Sequence, residues 1–321
     1  MQSKISSPFK KINWSQYVVY IAFVVVFIIL SIMLSDSGFL KASNILNIVR
    51  QNSIIAIVAI AMTFVICAGE MDLSVGSLMG LTSLTGALAL SAGMGIPGAL
   101  LCGLGTGALF GLANGLLVSR LKIPSFIVTI GTASVANGIA MYITGSAPVP
   151  IDDEGYLFAF GTGDIGNVIP VLLIWLIIAT VIGHIVLKRT VYGKRVLATG
   201  ANPTAARFTG IKVKNIKLSV MLLMGIIAGL GGLLSAGRMY TGRYTLGDGS
   251  ELDAIAAVIL GGAALTGGKG SIIGTIVGAF LIGMVNNGLI IMGLNVSQQL
   301  IVRGLIVILA VAFGYRSMKN D

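Results

Sequence analysis

Ten long apolar stretches alternate with shorter polar ones along the chain, at about residues 17–34, 45–69, 73–92, 97–119, 125–143, 168–187, 218–236, 253–268, 271–292 and 299–315. A helix needs about 20 apolar residues to cross the hydrocarbon core of a bilayer. Most of the stretches meet that length, and two fall short. The eighth, 253–268, runs into Gly267-Gly268-Lys269-Gly270. It reads either as a true span or as half of a re-entrant pair with the ninth. The pattern predicts an all-α polytopic membrane protein with about ten transmembrane helices, forming one transmembrane domain over 1–321.

Composition points the same way. Hydrophobic residues make up 56% of the 321 residues and charged ones 10%, against about 25% charged in a soluble domain. So much apolar surface has nowhere to go but lipid. The 44 glycines suit close helix–helix approach in a bilayer. The net charge of +10 does not point to nucleic acid, because the basic residues flank apolar runs instead of forming one face with interleaved aromatics.

The placement of Lys and Arg predicts orientation. Segment 188–217 carries Lys188, Arg189, Lys194, Arg195, Arg207, Lys212, Lys214 and Lys217 and no acid, which assigns it to the cytoplasm. Alternation then puts Lys4, Lys10 and Lys11 of the tail 1–16, Arg120/Lys122, Lys269 and Arg316/Lys319 on the same side, with both termini cytoplasmic. The loop 144–167, with Asp152, Asp153, Glu154 and Asp164, falls outside. No small-x-small cleavage site follows the first apolar run, so it reads as a retained span and not a signal peptide.

Catalytic chemistry is not expected. Cys67 and Cys102 lie inside apolar runs with no metal spacing, and His184 is the only histidine, so neither a metal site nor a nucleophile–base pair is predicted. Thr266-Gly267-Gly268-Lys269-Gly270-Ser271 resembles a phosphate loop superficially. A Walker A motif needs Gly where Ala263 stands and Ser or Thr where Gly270 stands.

Gly103, Gly107, Gly111 and Gly115 form a four-residue ladder on the fourth helix, and Gly225, Gly229 and Gly232 do similar duty on the seventh; both are read as packing faces. The stretch 107–115 resembles 278–288. It is either an inverted repeat of the transporter kind or a chance likeness of Gly/Ala/Asn-rich helices. Acids border spans at Glu70, Asp72, Glu251 and Asp253. In the helix-break motif Glu70, Asp72 and Ser74, the preferred reading makes Asp72 the N-cap of the third helix; the alternative is a broken helix with polar groups facing a pathway. In 188–217, Asn202 is predicted to cap a short helix begun by Pro203 and ended by Gly210, a shape suited to docking a soluble partner.

Three segments resemble a known family: Met62-Thr63-Phe64-Val65-Ile66 through Asp72-Leu73-Ser74-Val75-Gly76-Ser77; Gly200-Ala201-Asn202 through Ala205-Ala206 to Gly210-Ile211; and Glu251-Leu252-Asp253-Ala254-Ile255-Ala256-Ala257 through Gly267-Gly268-Lys269-Gly270 to Asn287-Gly288. Over nearly its whole length the chain resembles the permease of bacterial ribose-type ABC importers, a branched family that also serves xylose, galactose, allose, inositol and a furanosyl signalling molecule. Glu70 stands where that family usually has a small residue, Gly.

The resemblance implies a fold like the larger type II importers in the bacterial cytoplasmic membrane. It implies a permease homodimer, a cytoplasmic ATPase that binds ATP and Mg, and an extracytoplasmic sugar-binding protein; no cofactor is expected in this chain. Asn202, Ala205, Ala206 and Gly210 are then the ATPase-coupling residues. Asn114, Thr129, Asn137, Asn286 and Asn287 are candidates for the translocation path, and Arg238 and Arg243 for docking the binding protein. The expected function is import of a monosaccharide, ribose or a related pentose or hexose. The alternatives are import of another small polar solute or, in a different class, ion-coupled secondary transport.

Overall fold

A backbone that cannot hydrogen-bond to water must satisfy its polar groups internally, and the apolar runs do so as helices. The computed structural model describes residues 18–166 and 168–319; the tail 1–16 lies outside them. The helices are α1 (Val18–Met33), α2 (Ala42–Cys67), α3 (Val75–Ser91), α4 (Gly95–Ser119), α5 (Ser125–Thr144), the single turn α6 (Glu154–Leu157), α7 (Val171–Arg189), α8 (Val191–Ala201), α9 (Pro203–Phe208), α10 (Val213–Met239), α11 (Ser250–Leu260), α12 (Ile272–Ile291) and α13 (Val296–Lys319). Among the described residues, α2, α4, α5, α7, α10 and α12 are long and apolar enough to cross a membrane, and α1, α3 and 296–309 of α13 are shorter apolar helices. Two-residue strands pair antiparallel: β1 (Val149–Pro150) with β4 (Thr241–Gly242), and β2 (Asp164–Ile165) with β3 (Ile169–Pro170).

The core forms around α2, whose residues 56–67 are buried on every side, as expected of an internal helix. The glycine ladder of α4 lies against α10. A methyl at Gly107 would overlap the Gly225 carbonyl, and one at Gly111 would meet Met221 and Gly225 backbone. Without side chains there, the two backbones touch. The rows resembling each other in α4 and α12 have different partners: Gly274 and Gly278 of α12 face Gly261 and Ala257 of α11 and its end.

The eighth predicted helix is corrected. Instead of spanning 253–268, α11 has 11 residues and stops at Leu260, about 16 Å at 1.5 Å per residue. Before it, β4 and a run of turns over 244–249 lie beside α3. Arg243 N–H donates to Ser83 Oγ at 3.1 Å, and Gly80 and Gly76 abut the Tyr244 and Gly247 carbonyls. Glycines permit that approach, and Gly249, at φ 80°, starts α11 from a left-handed backbone that disfavours other residues. Its first turn lies level with the middle of α12, where Ser250 and Asp253 share a cavity with Ala279 and Gly283.

The basic segment 188–217 is also narrower than expected as a loop. α7 continues to Arg189 and α10 begins at Val213, leaving α8 and α9 between them. Across the acidic loop 144–167, Asp153 caps α6 through Tyr156 N–H at 2.8 Å. Asp164 pairs with Arg50 of α2 at 2.6 Å.

Candidate functional site

Three polar sites interrupt the apolar bundle: a short-helix elbow, the break between α2 and α3, and a cavity near the start of α11.

At the elbow, Thr190 Oγ1 caps α8 by accepting from Gly193 N–H at 3.2 Å. Asn202 Oδ1 accepts from Thr204 and Ala205 N–H at 3.1 and 3.0 Å, with Pro203 opening α9. Gly210, at φ 84°, ends the turn. Ala205 is exposed, but Ala206 is only 4% exposed and faces inward, so its side chain belongs to the elbow's own packing and not to a docking surface. The protruding side chain is Phe208, 89% exposed. Sequence reasoning missed it, although an aromatic at the end of a capped polar helix is a legible signal. Tyr192 holds α8 to α10 through Ser219 Oγ at 2.9 Å; burial pushes its phenol up, with the Ser219 hydrogen bond opposing.

The elbow rests on backbone. Gly268 N–H donates to the Cys67 carbonyl at 2.9 Å. A methyl at Gly200 would overlap that carbonyl, and one at Gly267 would strike Gly200. The end of α2, the end of α8 and the loop after α11 thus meet with no side chain between them.

At the break, Asp72 is not the N-cap of α3. Ser74 occupies the cap position with helical φ and ψ and makes no side-chain cap bond. Asp72 Oδ1 instead accepts from Ser74 N–H at 2.8 Å and Ser74 Oγ at 2.6 Å, a local Asx-type turn. Asn114 Nδ2 donates to Ser74 Oγ at 3.1 Å, and Met71 N–H donates to Ser125 Oγ at 3.1 Å. Glu70 is ion-paired with Lys217 of α10.

The five path candidates do not converge. Asn114 serves the break, and Thr129 returns its hydroxyl to Ser125 carbonyl at 2.8 Å. Asn137, elsewhere on α5, has an Oδ1 without a partner. Asn287 and Asn44 exchange amide hydrogen bonds at 2.9 and 3.1 Å, a seam between helices. Asn286 lines the cavity.

That cavity, about 180 Å³, is walled by Gln51 and Asn52 of α2, Arg238 of α10, Asp253 of α11, Asn286 of α12 and Arg303 of α13. Arg303 Nε donates to Asp253 Oδ1 at 2.6 Å and its Nη2 reaches Oδ2. Arg238, expected on an outer docking face, is half-buried and faces this space. Arg243 is exposed. Arg50 and Arg303, each a base within an apolar stretch, were the overlooked signals, because charge in such a stretch needs a partner.

A family model described as the permease component of branched-chain amino acid transport systems matches residues 44–311. The chain belongs to this permease family. The permease is 39% identical over 298 residues to the ribose import permease protein RbsC of Bacillus subtilis, covering 91% of this chain and 90% of the relative. It is 35% identical over 300 residues to the L-arabinose ABC transporter permease protein AraH of Azospirillum brasilense, covering 92% and 86%. With the xylose transport system permease protein XylH of Haemophilus influenzae it shares 31% over 362 residues, covering 94% and 96%. No solved structure matches. Family and apolar helices together make this permease a multi-pass membrane protein.

Proposed function

We propose that this permease is the membrane subunit of an ATP-binding-cassette importer for a monosaccharide, ribose or a related pentose first. The supporting observation is likeness over about nine-tenths of the chain to permeases named for ribose and arabinose, together with xylose. In this reading the single domain 1–321 crosses the cytoplasmic membrane of a bacterium ten times, as a type II importer fold with both termini inside. The turns of 241–249 and α11 together make the eighth crossing. A second copy completes the path.

The energy comes from a partner ATPase that binds ATP and Mg. It seats on α9, where Asn202 holds the turn, Ala205 lies exposed and Phe208 projects. Closure of the ATPase tilts helices through the elbow, so the path faces the two sides in turn. A sugar-binding protein delivers solute outside, with Arg243 available to meet its acids. The groups along the path need bind a neutral polar solute only weakly, since a tight site would trap it.

The test is uptake by vesicles holding the permease with its partner ATPase and sugar-binding protein, using labelled ribose, xylose, arabinose and leucine. ATP-dependent uptake of a sugar but not leucine is the expected result. Leucine uptake, or sugar uptake driven by an ion gradient without ATP, would overturn the reading.

A further inference from the structure

Four cations from three elements line one open cleft of about 470 Å³: Arg120 at the end of α4, Arg207 in the last turn of α9, and Lys212 and Lys214 at the start of α10. All four are exposed, and no acid lines the cleft. None of them enters an ion pair among the described residues. Arg120 and Arg207 suit the negative ends of their own helices. The lysines do not. Lys212 is the N-cap of α10, and Lys214 lies in a first turn that has no acid, although the positive end of a helix favours anions. Lys217, in the next turn, has Glu70 to balance it.

Charges that only anchor a helix end need not converge. Here the fold gathers them. Arg120 Nη2 donates to Asn215 Oδ1 at 3.2 Å, joining α4 to α10. Ile211 N–H donates to the Ala206 carbonyl at 3.0 Å, which turns the chain back on α9 before α10 begins. A cleft lined by one sign of charge concentrates the opposite ion.

We propose that this cleft binds the phosphodiester headgroup of an anionic phospholipid in the inner leaflet, tying α9 to the ends of α4 and α10. The leaflet rests on the importer reading above, which puts this end of the helices inside. What lies below Arg120 favours a lipid over a soluble anion or an acidic protein surface. Leu109, Leu112 and Leu116 are all exposed. With Arg120 they follow at intervals of three and four residues, hence along one face of α4. An acyl chain lying on the leucines brings its phosphate to the arginine at the helix end. Arg120 keeps donors beyond the one spent on Asn215, and a guanidinium fork matches two phosphate oxygens. Lys212 and Lys214 add point charges. Ala205 and Phe208 do not line the cleft, so the ATPase and the lipid can be held together.

Native mass spectrometry of detergent-solubilised permease tests this. Wild type should retain phosphatidylglycerol at least fivefold better than phosphatidylcholine, and millimolar inorganic phosphate should not displace it. Arg120→Gln with Arg207→Gln should cut that retention at least fivefold. Lys194→Gln with Arg195→Gln, an equal loss of charge on α8, should leave it unchanged. A second measurement keeps all four cations. Ile211→Cys lies inside the cleft, and in inside-out vesicles phosphatidylglycerol should protect it from an uncharged, membrane-impermeant thiol reagent, relative to Lys194→Cys. This labelling decides the matter should the double arginine variant fail to fold. Equal losses in the two double variants, equal retention of the two lipids, displacement by inorganic phosphate, or loss of the lipid when purified ATPase binds would each overturn the site. Labelling of Ile211→Cys from outside intact cells would overturn its inner-leaflet placement. Lipid retention needs neither ATPase nor sugar, so wild type that keeps the lipid but imports no sugar would remove the importer reading and leave the site standing.

Discussion

Gly268 donates its backbone N–H to the Cys67 carbonyl at 2.9 Å, across about two hundred residues of chain, and Gly200 lies directly over the same carbonyl. The elbow, the end of α2 and the loop after α11 therefore move as neighbours with no compliant side chain between them. Gly200→Ala would push a methyl into that carbonyl and into Gly268 N. Overpacking of this kind costs about 1–3 kcal/mol. The variant should assemble with the ATPase but transport at least tenfold less solute per ATP hydrolysed, as measured by paired uptake and phosphate-release assays. Wild-type coupling would show that the contact transmits nothing.

The α9 cap gives a separable prediction. Removing an Asn cap costs about 1 kcal/mol, so Asn202→Ala should fray α9 and weaken ATPase binding. Phe208→Ala should weaken binding as well, by about tenfold or more, yet leave the melting temperature of the isolated permease unchanged because the ring is 89% exposed. Titrating detergent-solubilised permease with purified ATPase distinguishes the two. Equal affinity for Phe208→Ala and wild type would move the docking surface elsewhere.

Glu70 and Lys217 join the α2–α3 turn to the base of α10. Glu70 is buried and Lys217 partly accessible, so replacing either partner leaves a charge short of its counter-ion. Glu70→Lys should impair transport by leaving two cations facing each other, and the swap Glu70→Lys with Lys217→Glu should restore it. A swap no better than the single change would argue that Glu70 acts through something other than Lys217.

The reciprocal amide pair Asn44–Asn287 belongs to the framework. Interhelical hydrogen bonds in membranes average about 0.6 kcal/mol, and reach about 1.7. A double-mutant cycle with Asn44→Ala and Asn287→Ala should yield a coupling energy in about that range, with solute selectivity unaltered. Changed selectivity in Asn287→Ala would return that residue to the path.

The α4–α10 contact predicts a contrast within one helix. Gly107→Val should sharply reduce folded yield, because its side chain would occupy the space of the Gly225 carbonyl. Gly105→Ala, whose added methyl meets open space, should leave yield and melting temperature unchanged or slightly raised, since Ala favours a helix over Gly by about 1 kcal/mol. Size-exclusion profiles of the two variants check this.

What the sequence by itself determined was local. Hydropathy located the helices, because burying a backbone without water requires one wherever apolar residues run long enough. The Asn202-Pro203 cap and the closing Gly210 were legible because their bonds span two or three residues. The glycine ladders announced close packing without naming their partner. Tertiary structure decided which ladder meets which, and so which charges face each other: Arg50 with Asp164, Glu70 with Lys217, and Arg303 with Asp253, each at least 50 residues apart. It turned Asp72 from a helix cap into a side-chain partner of Ser74 and drew Arg238 inward from the face where loop charge had set it. It also cut the eighth helix to α11. Hydropathy sums apolar residues whether they coil or turn, whereas the backbone turns after Leu260, with positive φ at Gly262, Gly267 and Gly268, end the helix well before 268.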